Sequence, residues 1–296
     1  PHRQGPTGDD REALRRDPLG LVAVRAAAPG PLPRLRLGER SVVLVARPEL
    51  VREVLVERLD CVGKPEFLRA SNRGRWGEGL TTLEGERWHA RRGGLRGAFA
   101  PERVEAHREE VRAHARRMVS AWAPGDVIDL RHEIRRLTAA CAVRFVLGAA
   151  VEGWSDAESP PPRARVVPWS EAYGEDFTAV AGNDVPLALT RPRAPAAMPV
   201  TVEIVDAAIR DGVDRGDALS WLVAASRDPA AGLGRDAIVD ELVQMLYAGH
   251  HTVPTVMVSL AQVLAGAPGH ARRACDDPEH LELVLHETLR MFPPAP

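Results

Sequence analysis

Lysine is almost missing from this 296-residue chain: Lys64 is the one lysine among 39 basic residues, and the others are arginines. With Ala, Pro and Gly abundant as well, the bias points to a GC-rich bacterial coding sequence. Cysteine is scarce too. Cys61, Cys141 and Cys275 lie far apart with no CxxC pairing, which argues against a disulfide framework or a zinc knuckle and predicts three small buried hydrophobes in a reducing compartment. No stretch of 18 apolar residues occurs, and the opening PHRQGPTGDDREALRRD has neither an apolar signal core nor a cleavage pattern. A cytoplasmic location without a membrane partner is the expectation. Charge imbalance is also lacking. A formal net charge of -2 and a pI of about 6.6 give no footing for nucleic acid or an anionic surface.

What is present is apolar content, 45% of residues, enough for a sizeable core. Residues 1–33, rich in Pro, Gly and charge, are expected to form an N-terminal arm with one short helical stretch around Glu12 to Arg16. Residues 34–296 are expected to form one domain. Within LRLGERSVVLVA, two apolar runs flank Gly38-Glu39-Arg40, the mark of a β-hairpin. Pro48 then opens a helix whose Leu50, Val51, Val54 and Leu55 repeat at helical spacing. Helical spacing continues over 86–99, 101–121, 130–147, 200–212, 216–226, 235–266 and 278–292, so the fold class is mainly α with a small β-sheet. Two proline-rich stretches, 158–168 and 190–199, break the pattern and read as loops.

Three constellations carry possible chemistry. In GERWHARRGGLRGAFAP, Trp88, Arg92, Leu95 and Phe99 fall on one helical stripe, which predicts a guanidinium on a core-facing surface. Such a group needs an anionic partner: a carboxylate ligand, or a surface Glu reached by snorkelling. In RDAIVDELVQMLYAGHHTVPTVMVSLAQVLAG, apolar residues cover most of the circumference, the signature of a central helix. Pro254 denies an N–H to the His250 carbonyl, so a kink or opening is expected near Gly249 to Thr252. Gly249 would leave room there, and Thr252 would bond the freed carbonyl or a guest molecule; a proline kink patched by a threonine, with no ligand, stays open. His250 and His251 point about 100° apart, which disfavours a shared metal. In DDPEHLELVLHETLRMFPPAP, Asp277 caps a helix that Pro278 opens, and Glu287 and Arg290 sit three apart as an ion pair. An exposed helix pair satisfies that spacing as well as a functional one does. HETLR lacks the second histidine of a zinc-protease motif.

In this order and separation, Trp-x-x-x-Arg, Ala-Gly-x-x-Thr and Glu-x-x-Arg resemble the bacterial cytochrome P450 family from Arg34 to the end. The segment KPEFLRASNRGRWGEGLTTLEGERW and the PPAP ending sit where that family places them. The resemblance implies the cytochrome P450 fold and haem b as cofactor. Trp88 and Arg92 would bond a haem propionate, and Ala248, Gly249 and Thr252 would line the oxygen side, with Thr252 handling protons. Glu287 and Arg290 would form a buried network behind the haem loop. It further implies a monomeric oxidoreductase of secondary metabolism. This monooxygenase would act on a small apolar metabolite, with electrons from NAD(P)H delivered through a ferredoxin and its reductase.

Two departures qualify the match. His251 stands where the family usually has Asp or Glu, so proton delivery would fall to His251 or to a substrate hydroxyl. The family's Phe-x-x-Gly-x-x-x-Cys-x-Gly loop, whose thiolate holds the iron, does not occur in this sequence, and Cys275 precedes Glu287 and does not fit that place. The axial cysteine is therefore expected beyond Pro296, with the C-terminal haem-loop part absent from the chain. The alternative is a truncated, haem-free relative acting as a binding or interaction module.

Overall fold

The computed structural model describes residues 9–28, 30, 32–148 and 198–294. Contacts divide the chain into a smaller unit that ends at Leu68 and a larger one that begins at Arg69.

The smaller unit contains α1 (Arg11–Arg16), α2 (Pro18–Ala26), the antiparallel strands β1 (Arg34–Leu37) and β2 (Arg40–Val43), and α3 (Pro48–Arg52), which runs on into a π-helical turn. The hairpin forms where it was expected. Leu37 pairs with Arg40, leaving Gly38-Glu39 as the turn, and Gly38 takes a left-handed φ of 65° that a side chain would resist. Residues 11–26, expected as an arm with a single helical stretch, form two helices instead. Asp17 caps the second by accepting from the Gly20 N–H, and Pro18 fills its first position. Asp10 ties these helices to the hairpin. Its N–H donates to the Arg36 carbonyl at 2.7 Å, and its carboxylate accepts from the Arg36 N–H at 2.8 Å and from Arg25. Burial pushes the Asp10 carboxyl up, but the Arg36 N–H and the Arg25 guanidinium together hold it below the usual range.

The larger unit is helical: α4 (Glu66–Trp76) leads into it, followed by α5 (Gly85–Leu95) with a 3₁₀ turn at Arg96–Phe99, α6 (Pro101–Ala106), α7 (Arg108–Ser120) and α8 (Leu130–Leu147). Beyond residue 197 come α9 (Met198–Asp211), α10 (Ala218–Ala225), α11 (Arg235–Gly266), α12 (Pro268–Asp276) and α13 (Pro278–Met291). The proline-rich stretch 158–168 lies outside the described residues, as does 190–197. The expected helix over 101–121 divides at His107, and α4 and α12 have no counterpart among the expected helices. Few apolar residues mark α4, and α12 is only two and a half turns long. The central position expected of 235–266 is correct: α11 packs on α8, α9 and α10, and its Ile238, Leu242 and Val243 join Val205 and Leu222 in complete burial.

Two expectations need correction. α11 does not open at Pro254 but continues as helix to Gly266. The Thr252 hydroxyl donates to the Ala248 carbonyl at 2.9 Å, four residues back, and not to the His250 carbonyl that Pro254 leaves without a donor. Cys61 and Cys275 are exposed and only Cys141 is partly covered, because the first two sit on short terminal turns outside the core. No single described helix is long and apolar enough to cross a membrane.

Two outcomes test this packing. Leu222→Ala removes a fully buried side chain, and its urea unfolding free energy should fall by about 2–5 kcal/mol. The Asp10 carboxyl has a depressed native pKa, so its stabilisation is complete above about pH 4 and is lost as pH falls through the lower native value. The stability gap between the parent and Asp10→Asn, followed by circular dichroism in urea, should close in acid.

Candidate functional site

The site is built where α5 meets α11. α5 begins at Gly85 and turns its Arg91 and Leu95 inward, as the 3₁₀ turn after it does Ala98, each nearly inaccessible to solvent. This is a different face from the one the stripe predicts. Arg92 is exposed and Phe99 is half exposed, while Trp88 is partly covered. Both faces share Leu95 at helical spacing, so periodicity alone does not choose between them. The buried guanidinium is Arg91, and its anionic partner comes from the protein: its terminal nitrogen donates to Glu241 Oε1 at 2.9 Å, with the two side chains 7% and 2% exposed.

Glu241 belongs to a run of polar residues on the otherwise apolar first half of α11. The backbone entering α5 is held by it and by its neighbours. The Glu78 N–H donates to Asp240 at 2.8 Å, the Leu80 N–H to Glu241 Oε2 at 3.3 Å, and the Thr81 N–H and hydroxyl both to Gln244 Oε1 at 3.1 and 2.8 Å. Two glycines permit this approach. A Cβ on Gly77, which has φ of 77°, would collide with the Asp240 carboxylate, and one on Gly79 with the Gln244 amide. Burial pushes the Glu241 carboxyl above its ordinary range, against the pull of Arg91 and the Leu80 N–H. The far end of α5 is fixed as well: Trp221 on α10 donates its indole N–H to the Gly94 carbonyl at 2.8 Å, and Gly97 lies flat against the indole.

Arg92 and Trp88 nevertheless form a unit. The Arg92 guanidinium lies over the Trp88 ring, 5.1 Å from its centre. Arg92 makes no ion pair among the described residues. An exposed guanidinium stacked on an indole, with its donors uncommitted to any carboxylate, fits a carboxylate ligand such as a propionate. On α11, Ala248 and Thr252 follow Glu241 by seven and eleven residues, which returns them to within about 20° of its face, the latter some 16 Å along the axis. Ala248 is exposed and Thr252 partly so. α5 is thus anchored on the same side of α11 that carries Ala248 and Thr252.

Three predicted site residues sit otherwise than expected. Gly249 does not open a gap: its Cα faces α8, where an added Cβ would lie 3.3 Å from the Ala142 Cβ, so the absent side chain is accounted for by close helix approach. Glu287 and Arg290 pair bidentately at 2.6 and 2.8 Å, but on the exposed face of α13 and not in a buried network. The guanidinium of Arg290 holds the Glu287 carboxyl below its usual range. The side chain of His251 lies outside the described residues.

The fold agrees with comparisons to known proteins. A family model described as cytochrome P450 matches residues 15–153. Cyclooctatin synthase of Streptomyces melanosporofaciens is 30% identical over 95% of this chain, and cyclooctat-9-en-7-ol 5-monooxygenase of the same organism 27% over 96%. The chain belongs to the cytochrome P450 family. It spans 66% and 65% of the lengths of those two P450 relatives. Among solved structures, CYP175A1 from Thermus thermophillus superposes with a TM-score of 0.66 at 24% identity, over 96% of this chain and 66% of its own. A zebra fish cytochrome P450 with progesterone reaches 0.70 at 17%, over 93% and 70%. At such identities these structures speak for the P450 fold alone.

Breaking the buried pair tests the assignment of Arg91. Arg91→Met leaves the Glu241 carboxylate buried without its cation, and urea unfolding at neutral pH should show a loss of about 3–5 kcal/mol. The loss should shrink in acid, where Glu241 takes up a proton more readily in the folded chain than in the unfolded one.

Proposed function

We propose that this chain provides the propionate anchor and the oxygen-side wall of a haem-dependent monooxygenase. Haem, when bound, supplies dioxygen activation, and the overall reaction is R–H + O₂ + 2e⁻ + 2H⁺ → R–OH + H₂O. The observation that carries the reading is the Arg92–Trp88 stack on α5, anchored on the face of α11 that bears Ala248 and Thr252. Arg92 and the Trp88 indole hold the propionate edge. Ala248 leaves a small side chain on the oxygen side, and the Thr252 hydroxyl, released from the Ala248 carbonyl, receives and passes on protons there. His251, the preceding residue in the sequence, is the proposed second proton carrier. Glu287 and Arg290 would support a haem-binding segment from behind.

The names of two relatives support the proposed substrate class. Pentalenene oxygenase of Streptomyces avermitilis and cyclooctat-9-en-7-ol 5-monooxygenase are named for an alkene and for an alkenol with a single hydroxyl. A small hydrocarbon or monohydric alcohol is accordingly the proposed substrate here. The electrons come from NAD(P)H through a ferredoxin and its reductase. A Gibberella moniliformis relative, 24% identical, is named as a fused cytochrome P450 and NADPH–P450 reductase, which makes a flavoprotein donor the alternative to assay beside them.

The test is the spectrum of the full reading frame, reduced and treated with carbon monoxide. A thiolate-type Soret band is the expected result, and a protein that takes up no haem defeats the reading. In the loaded protein Thr252→Ala should divert electrons to peroxide at the expense of product. His251→Ala should do the same; unchanged product and peroxide yields would remove His251 from proton delivery.

A further inference from the structure

An ion pair as deeply buried as Arg91–Glu241 is a poor device for stability alone, because desolvating both charges consumes most of what their attraction returns. This pair does not even satisfy itself. Arg91 Nε is buried with no acceptor among the described residues, and the second oxygen of Glu241 reaches the Leu80 N–H only at 3.3 Å. What a hydrogen-bonded pair provides and an apolar contact does not is register. Leucines tolerate sliding by a fraction of a turn, whereas a 2.9 Å contact between two short-range groups fixes both the position along α11 and the rotation of α5.

Arg91 lies between Trp88 and Arg92 in the same three turns of α5, and Glu241 shares its face of α11 with Ala248 and Thr252. We propose that Arg91 and Glu241 are positioning residues, which set the span between the propionate donors on α5 and the oxygen-side wall on α11. The inference rests on the haem reading above. Neither residue touches the haem: Arg91 acts through the helix that carries Trp88 and Arg92, and Glu241 through the helix that carries Thr252. The grip of Asp240 and Gln244 on the 78–81 backbone and the Trp221–Gly94 bond hold α5 against α11 and α10, but neither contact involves a side chain of α5. Besides the apolar packing of Leu95, the ion pair is therefore the buried polar side-chain contact that fixes how α5 is rotated about its own axis.

The test uses the haem-loaded product of the full reading frame and two variants. Arg91→Met with Glu241→Gln removes both charges while keeping an acceptor for the Leu80 N–H, and Arg91→Lys keeps the charge but not the planar fork. Three quantities are read: the urea midpoint, the rate of haem transfer to excess apomyoglobin, and the propionate-bending bands in the resonance Raman spectrum. The double variant should keep its midpoint yet release haem about tenfold faster, with shifted or broadened propionate bands. Arg91→Lys should recover part of that retention, and it carries the test if the double variant does not fold. Haem release that merely follows the midpoint in every variant, or parent-like release and bands in a stable variant, overturns the positioning role and leaves the haem reading standing. A parent protein that takes up no haem overturns both.

Discussion

A charge taken out of water obliges the rest of a fold to supply its counterpart at a fixed place, and in this chain the Arg91–Glu241 contact imposes that obligation on α5 and α11. The two residues lie 150 positions apart in sequence, so the charge on either helix is compensated only by a distant part of the chain. Everything proposed for the site hangs on that junction. The Arg92–Trp88 stack faces outward because Arg91 has taken the inward position, and Thr252 lies on the side of α11 that α5 approaches because Glu241 lies there too.

Much of the scaffold was legible in the sequence, and the reasons are local. α8 and α11 match their expected limits because their apolar periodicity is long, and α11 was recognisable as central from apolar residues on every side. The hairpin was legible from Gly38 between two short apolar runs. α2 was missed although Asp17-Pro18 marks its start, because the surrounding Pro and Gly were read as a loop composition. α4 offers too few apolar positions for its period to show.

The site was legible in type but not in detail. Adjacent arginines at 91 and 92 give helical spacing two equally good stripes through Leu95, and only three-dimensional packing selects the one with Arg91 inside. A sequence signal for that choice did exist: Glu241 interrupts a helix that is apolar on all sides, and a carboxylate in that setting demands a cation from elsewhere. The notch expected at Gly249 failed for a related reason. Glycine in a helix marks close approach as readily as open space, and here it admits Ala142 of α8. Glu287 and Arg290 pair with each other at that spacing, and among the described residues both side chains are exposed.

The segment before α5 is fastened by its main chain: the amides of residues 78, 80 and 81 carry the contacts to α11, while the two glycines at 77 and 79 make room for them. The amides of Glu78 and Leu80 would make these contacts whatever side chains they carried, whereas at Thr81 the hydroxyl adds a second bond to Gln244. Substitution at position 78 can therefore leave the strap tied to the long helix, while any side chain at 77 or 79 would prise the two apart; the glycines are the knots that drift has to leave alone.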